Sequence, residues 1–244
     1  MIAVSIVSHG HGEMVSRLVK SLLGFSEISQ VIVTLNIPET LDFLDDERLS
    51  IVQNSAPKGF GENHNFAFQQ CMGEFYCVLN PDISFIENPF PELIKILAQP
   101  KVGLTAPLVY NLDGGIEDSA RYFPSPWSLV LRKFTQHKDS FVVQIGGDPS
   151  CVEWVAGMFM LFKSHVFRKI HGFDERYHLY VEDVDICTRV WSDQYKVVVN
   201  PSVAVIHDAR RASRINLRHM SWHISGLLKY FLKYLGRKPK IVEY

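Results

Sequence analysis

Three carboxylates open one helix-like run in the second half of this sequence: Glu182, Asp183 and Asp185, with Arg189 four residues beyond Asp185. Further on, the apolar run Val203 to Ile206 ends in His207, and in the first half the apolar run Phe75 to Leu79 ends in Asn80-Pro81-Asp82. Carboxylates and an imidazole at the ends of elements are what a site needs to hold a divalent cation and to move a proton. Helical geometry sorts the acids. At about 3.6 residues per turn, Glu182, Asp185 and Arg189 share a face and Asp183 points about 100° away. Asp185 and Arg189 are spaced to pair, so Asp185 has a structural explanation that Asp183 does not share. The helix dipole by itself also favours acids in a first turn, and Asn-Pro-Asp also makes a plain turn in which proline stops the strand.

A further candidate runs from residue 54 to 65, Asn-Ser-Ala-Pro-Lys-Gly-Phe-Gly-Glu-Asn-His-Asn. Gly59 and Gly61 permit close backbone approach, and a helix over about Glu62 to Met72 would turn free N–H groups towards an anion. A glycine-rich turn that merely caps a helix reads the same way. No Gly-Lys-Ser/Thr follows, so this is not a Walker A loop.

The elements that must position these residues are legible from the start of the chain. Ile2 to Val7 reads as a buried strand, followed by the turn Ser8-His9-Gly10-His11-Gly12. Met14, Val15, Leu18, Val19, Leu22 and Leu23 give Glu13 to Leu23 a helical period. Val31 to Leu35 and Leu49 to Gln53 follow as strands, so the opening reads β-α-β-β and predicts an α/β fold with a mostly parallel, Rossmann-like sheet flanked by helices. Ligands of such sheets bind beyond the carboxyl ends of the strands, where Ser8, His9, Asn36 and Asn54 lie. Pro91 to Ala98 predicts a short helix and Val102 to Tyr110 an extended run. From Asn111 to Ser150 the pattern gives way to turn chemistry, with a helix expected over Trp127 to Phe134. Met158 to Phe162 predicts a strand and Ser164 to His171 a short helix. One domain is expected over 1–213, with 1–110 as a nucleotide-binding half and 111–213 as an acceptor and catalytic half. Residues 214–244 are expected as an amphipathic helix and tail.

Composition excludes several classes. The longest uncharged apolar runs fall far short of the roughly 20 residues of a membrane span. Four cysteines, at 71, 77, 151 and 187, show no metal-type pairing and read as reduced core thiols. With the strand-like start, these features predict a cytoplasmic protein. Net charge is −1 overall but unevenly placed. Residues 209–244 carry nine Lys and Arg against one acid, Glu243, whereas the preceding residues carry 16 basic and 25 acidic side chains. Between Arg214 and Leu235 the apolar residues Leu217, Met220, Ile224, Leu227, Leu228, Phe231 and Leu235 form a stripe. Arg218, Lys229, Lys233 and Arg237 lie beside it, interleaved with Trp222, Tyr230 and Tyr234. That pattern predicts contact with an anionic membrane surface through residues 214–240, against the alternative that the helix packs its apolar face on the domain. No nucleic-acid motif accompanies the basic segment, so nucleic acid is not an expected partner.

Together, SIVSHGH, KGFGENHNFA, LNPDI, WVAGMFMLFKSHVFRKIHGFDERYHLYVEDVDICTRV and AVIHD, in this order over about residues 2 to 235, resemble glycosyltransferase family 2, the inverting nucleotide-sugar enzymes of GT-A fold. Within that family the chain looks most like bacterial rhamnosyltransferases acting on lipid-linked acceptors in O-antigen-like polysaccharide synthesis. The resemblance implies a donor such as dTDP-rhamnose, or a UDP-hexose as the other donor reading, and a polyprenyl-diphosphate-linked saccharide acceptor at the inner face of the cell membrane. It implies Mg²⁺ or Mn²⁺ held by Asp82 and His207, and Asp183 as general base. Ser8, His9, Asn36, Gly59, Phe60, Gly61, Asn65, Asn80, Asp82 and Gly157 would meet the donor, and Trp154, Tyr180 and Glu182 the acceptor. Two positions depart from the family pattern. Asn80 stands where an acid is frequent, and Leu35 stands where the family has an acid on the nucleoside. A degenerate member that binds nucleotide or lipid without turnover would fit those departures, but such a protein has no need of a base.

Overall fold

A computed structural model describes residues 1–42, 45–128, 140–208 and 217–235, with 237, 239 and 241. One sheet organises them, in the order β3-β2-β1-β4-β10-β6-β11-β5, with β8 also paired to β11. The first four strands are β1 (Ile2–Ser8), β2 (Ile28–Leu35), β3 (Leu49–Gln53) and β4 (Phe75–Leu79), all parallel. β10 (Phe159–Lys163) runs antiparallel between β4 and β6 (Val102–Asn111). β11 (Lys196–His207) lies parallel to β6. β5 (Ile83–Phe85) and β8 (Ser150–Cys151) lie antiparallel to β11. A two-stranded sheet joins β7 (Ala120–Arg121) to β9 (Trp154–Val155). Strands from both halves of the sequence therefore share one sheet.

The central strands are apolar on both faces because helices cover both. On one face α1 (Glu13–Leu23) buries Val15, Leu18, Val19 and Leu22 at helical spacing, and α3 (Phe90–Leu97) buries Phe90, Leu93, Ile96 and Leu97. Each such side chain contributes roughly 1.5–3 kcal/mol on burial. On the other face lie α2 (Phe60–Phe68), α4 (Ser164–Lys169) and α5 (Glu182–Ser192), around Tyr76, Phe162, Phe167, Ile186 and Val190. The last described helix, α6 (Leu217–Tyr234), packs against this second layer.

Helix α2 starts at Phe60 rather than Glu62, because Gly59 is already at its N-cap. Of the helix expected over Trp127 to Phe134, residues 126–128 are helical and 129–134 lie outside the described residues. Residues 209–216, Arg214 among them, also lie outside. All four cysteines are free. No described helix is long and apolar enough to cross a membrane.

Candidate active site

Strand register brings the separate motifs to one edge of the sheet. Ser8 pairs with Leu35, which pairs with Gln53, so Ser8, Asn36 and Asn54 end neighbouring parallel strands. Asn80 follows β4 on the other side of β1. The amide of Asn36 is buried in a closed set of bonds. It donates to the Lys58 carbonyl at 3.0 Å and, through Oδ1, accepts from the Lys58 N–H at 2.8 Å and from Asn54 Nδ2 at 2.9 Å. Its Nδ2 also lies 3.2 Å from His9 Nδ1. Asn54 continues to Asn63 Oδ1 at 2.7 Å. Asn36 thus ties the strand end to the loop that enters α2. Glu39, which the sequence did not single out, accepts N–H bonds from Gly10 and Gly12 at 3.2 Å each and holds the turn after Ser8.

The glycines at the start of α2 have a packing reason. A Cβ on Gly59 would meet the carbonyl oxygen of His178 at 2.8 Å, and one on Gly61 would meet Phe173 Cβ at 2.7 Å. The Phe60 N–H already donates to that His178 oxygen at 2.9 Å. Asn65 is engaged on the same segment, donating to the Phe173 carbonyl and accepting from its N–H, at 2.9 and 2.8 Å. The close approach that Gly-Phe-Gly allows is therefore to residues 173–178, and the Phe60 N–H is taken up in it.

Asp82 and His207 are brought together by the short strand β5. His207 pairs with Ile83 across β5–β11, and the Asp208 N–H donates to the Asp82 carbonyl at 2.8 Å. Their side chains meet with Asp82 Oδ1 3.3 Å from His207 Nε2. The contact has ion-pair distance without hydrogen-bond alignment, so Oδ1 is a buried oxygen lacking a hydrogen-bond partner. Glu117 Oε2 takes the other ring nitrogen, Nδ1, at 2.8 Å. Burial disfavours a charged His207, but Asp82 and Glu117 together outweigh it and push the imidazole up to about 9.

Asp183 is the second residue of α5. Its Oδ2 accepts the Gly157 N–H at 3.2 Å and its Oδ1 the Val184 N–H at 2.8 Å. The next residue, Met158, accepts the Asn80 N–H at 2.9 Å through its carbonyl. Residues 157 and 158 thus join the carboxylate of Asp183 to the Asn80-Pro81-Asp82 turn. Burial pushes the Asp183 carboxyl above the usual carboxylate range, opposed by those two N–H donors. Burial, then the charge of Asp183, pushes Glu182 up to about 8. Its Oε2 has no hydrogen-bond partner.

The backbone that presents this pair is strained. Tyr180 and Val181 have φ of 71° and 73°, and a β-branched residue there is an outlier that costs about 1–3 kcal/mol. Helix α6 holds the turn. A Cβ on Gly226 would meet Val181 Cγ2 at 3.0 Å and the Tyr180 carbonyl oxygen at 3.1 Å. Tyr180 Oη lies 2.8 Å from His219 Nδ1. Trp154, in β9, donates its indole N–H to the Tyr122 carbonyl at 2.8 Å, and the Arg121 guanidinium lies over its ring.

The chain can be compared with known proteins on this footing. A family model described as the N-terminal domain of galactosyltransferase matches residues 144–215, which include β10, α5 and β11. The rhamnosyltransferase WbbL of Escherichia coli (strain K12) is 26% identical over 98% of this chain and 94% of its own length. The chain is similar to family 2-like glycosyltransferases. The N-acetylglucosaminyl-diphospho-decaprenol L-rhamnosyltransferase of Mycobacterium tuberculosis is also 26% identical, over 67% of the chain and 56% of that protein, so the match spans about half of that relative. A solved mannosyltransferase, PcManGT from Pyrobaculum calidifontis in complex with GDP-Man and Mn2+, superposes with a TM-score of 0.64 over 99% of the chain and 65% of its own, at 16% identity. That likeness establishes the GT-A-type fold.

The residues of this transferase fit a divalent ion in part. Asp82 and His207 are a carboxylate and an imidazole of the kinds that ligate a divalent ion, and an ion between them would take the place of the ring proton that now faces Asp82. Among the described residues no group of three His, Cys, Asp or Glu is set for a metal, so further oxygen ligands would come from the donor diphosphate and water.

Proposed function

We propose that this transferase moves a deoxyhexose, L-rhamnose from dTDP-rhamnose, onto a polyprenyl-diphosphate-linked saccharide in cell-surface polysaccharide synthesis, with inversion at the sugar carbon. The observation that carries the mechanism is the bonded bridge from Asp183 through Gly157 and Met158 to Asn80, which fixes the Asp183 carboxylate against the turn that bears Asp82. Asp183 takes the proton of the acceptor hydroxyl as that oxygen bonds to the sugar carbon. The bond from that carbon to the diphosphate oxygen breaks, and the nucleoside diphosphate leaves with the electron pair. A hydroxyl is too weak an acid to ionise alone at neutral pH, and a positioned base contributes typically about 10²–10⁴-fold. A divalent ion held by Asp82 and His207 would supply positive charge for the departing diphosphate. Ser8, His9 and the loop held by Asn36 would contact the donor, and Trp154 and Tyr180 the acceptor. The names of both curated relatives support the rhamnosyl reading, and one names a diphospho-decaprenol acceptor.

A lipid-linked acceptor calls for a route to the bilayer, and α6 supplies one. Met220, Ile224, Leu228, Leu232 and Leu235 are each more than half exposed along one side of it. With the basic excess of residues 209–244, this stripe suits the surface of an anionic bilayer. A second copy of the same segment would bring two like charges together.

Thermal unfolding of the purified protein with a panel of nucleotide sugars, with and without Mn²⁺, tests the donor reading. dTDP-rhamnose should raise the midpoint most, and more with Mn²⁺ than without. A larger shift with a UDP-hexose would replace the donor, and no shift with any nucleotide sugar would contradict the function.

A further inference from the structure

We propose that Gly226 of α6 is a positioning residue for the transfer: it seats the helix against the Tyr180–Val181 turn and so sets where Asp183 stands. The inference rests on the reading of Asp183 as the base.

The turn is an unusual one for its residues. Tyr180 and Val181 are consecutive, neither is glycine, and their φ of 71° and 73° lie in the left-handed region. Such a backbone persists only where its surroundings hold it. Val181 is also the N-cap of α5, and its carbonyl accepts the Asp185 N–H at 2.9 Å. A shift of Val181 therefore carries the first turn of α5 with it. Asp183 belongs to that turn, and its Oδ2 would then move relative to the Gly157 N–H that it accepts at 3.2 Å.

Helix α6 lies across this turn and is tied to the domain on either side of Gly226. Before it, His219 Nδ1 lies 2.8 Å from the Tyr180 hydroxyl, and the Trp222 ring packs 4.6 Å from that of His178. After it, the Tyr230 hydroxyl lies 3.0 Å from Thr188 Oγ1, and the Tyr234 hydroxyl donates to Asp185 at 2.9 Å. These residues and Gly226 recur at spacings of three and four, so they share one face of the helix. Where that face carries no side chain, the backbone closes on the turn. A Cβ at 226 would meet Val181 Cγ2 at 3.0 Å, the Tyr180 carbonyl oxygen at 3.1 Å and Val181 Cβ at 3.2 Å. Glycine is disfavoured inside a helix relative to alanine, so alanine here would strengthen the helix and press on the turn. With the helix tied on both sides of residue 226, the turn is the part that gives.

The test uses the full chain, with dTDP-rhamnose as donor and a short-chain prenyl-diphosphate-linked N-acetylglucosamine as acceptor. Wild type is compared with Gly226→Ala, Val181→Gly, the two combined, and Asp183→Asn. Val19→Ala, a buried change in α1 on the opposite face of the sheet, is the control for lost stability alone. The constants kcat and KM and the donor affinity are read well below each Tm, and the Gly157 amide is followed in ¹⁵N-glycine-labelled protein. Gly226→Ala should lower kcat about 3–10-fold, since the contacts call for a shift well under the roughly 1 Å that costs about 10²-fold. Donor affinity should stay as in wild type, and the Gly157 resonance should move. Val19→Ala should lower Tm and leave kcat and that resonance unchanged. In the Val181→Gly background Gly226→Ala should cost less kcat than in wild type, because the Val181 atoms it meets are gone. The proposal is overturned if Gly226→Ala keeps the wild-type kcat and Gly157 resonance while Asp183→Asn loses transfer. It is overturned equally if the loss in kcat is the same in both backgrounds. Full transfer by Asp183→Asn removes the base and the proposal with it, and no transfer by wild type contradicts the functional reading on which both stand.

Discussion

Replacing Lys233 by Met should destabilise the whole transferase, although Lys233 belongs to a helix that the sequence alone assigns to the membrane. Asp185 is fully buried and accepts from Arg189 Nε at 2.8 Å, Lys233 Nζ at 2.6 Å and the Tyr234 hydroxyl at 2.9 Å. Lys233 reaches Asp174 as well, at 2.8 Å. Methionine keeps most of the stem and removes the charged donor. A hydrogen bond to a charged group is worth about 1.5–3 kcal/mol. Leaving a buried charge with no partner costs about 3–5 kcal/mol, but Asp185 retains Arg189 and Tyr234, and Lys233 is 25% exposed. The lower range of about 1.5–3 kcal/mol therefore applies. At about 2–4 °C per kcal/mol for a chain near this size, Tm should fall by roughly 3–12 °C. Lys229→Met is the control, because among the described residues its Nζ donates to the exposed carbonyl of Arg176, and it should stay within about 0.5 kcal/mol of wild type. Calorimetry or circular dichroism reads both. Equal Tm values for wild type and Lys233→Met would refute the reasoning that α6 completes the charge balance of α5.

Two further outcomes follow from the same geometry. Gly59→Ala should lower Tm and weaken nucleotide binding together, because the added methyl meets the His178 carbonyl; nucleotide titration and thermal unfolding check this, and a stable variant with full binding would contradict the packing. Leu228→Ser with Leu232→Ser should leave Tm nearly unchanged, as both side chains are exposed, yet reduce co-sedimentation with anionic vesicles several-fold. Undiminished vesicle binding would remove α6 as the membrane contact.

The strands and helices were legible because their apolar periods are strong, as in Val15, Leu18, Val19 and Leu22 of α1. The pairing of Asp185 with Arg189 was legible too, since helix spacing fixes it. Less could be read where a side chain's partner is chosen by tertiary structure. Gly-Phe-Gly announces close backbone approach without saying to what, and here it approaches His178 and Phe173. The stripe on α6 was visible, but its faces were not. Leu227 and Phe231 pack inward, and Trp222, Tyr230 and Tyr234, expected beside a bilayer, contact His178, Thr188 and Asp185. Lys233 turns towards them and donates to Asp185. Glu117 carried no signal of its own. Its position follows only once the Asn111–Gly115 reversal and the β6–β11 register are combined, and the first of those was the one element of the pair that sequence offered.

The central claim is that Asp183 is the base of a sugar transfer whose donor half it does not itself hold. The most direct measurement compares wild type with Asp183→Asn for transfer from a nucleotide sugar that the wild type uses, alongside donor affinity by titration. The account predicts donor affinity within about twofold of wild type and transfer reduced by at least about 10²-fold, the lower bound of general-base assistance. Transfer at the wild-type rate by Asp183→Asn would contradict it.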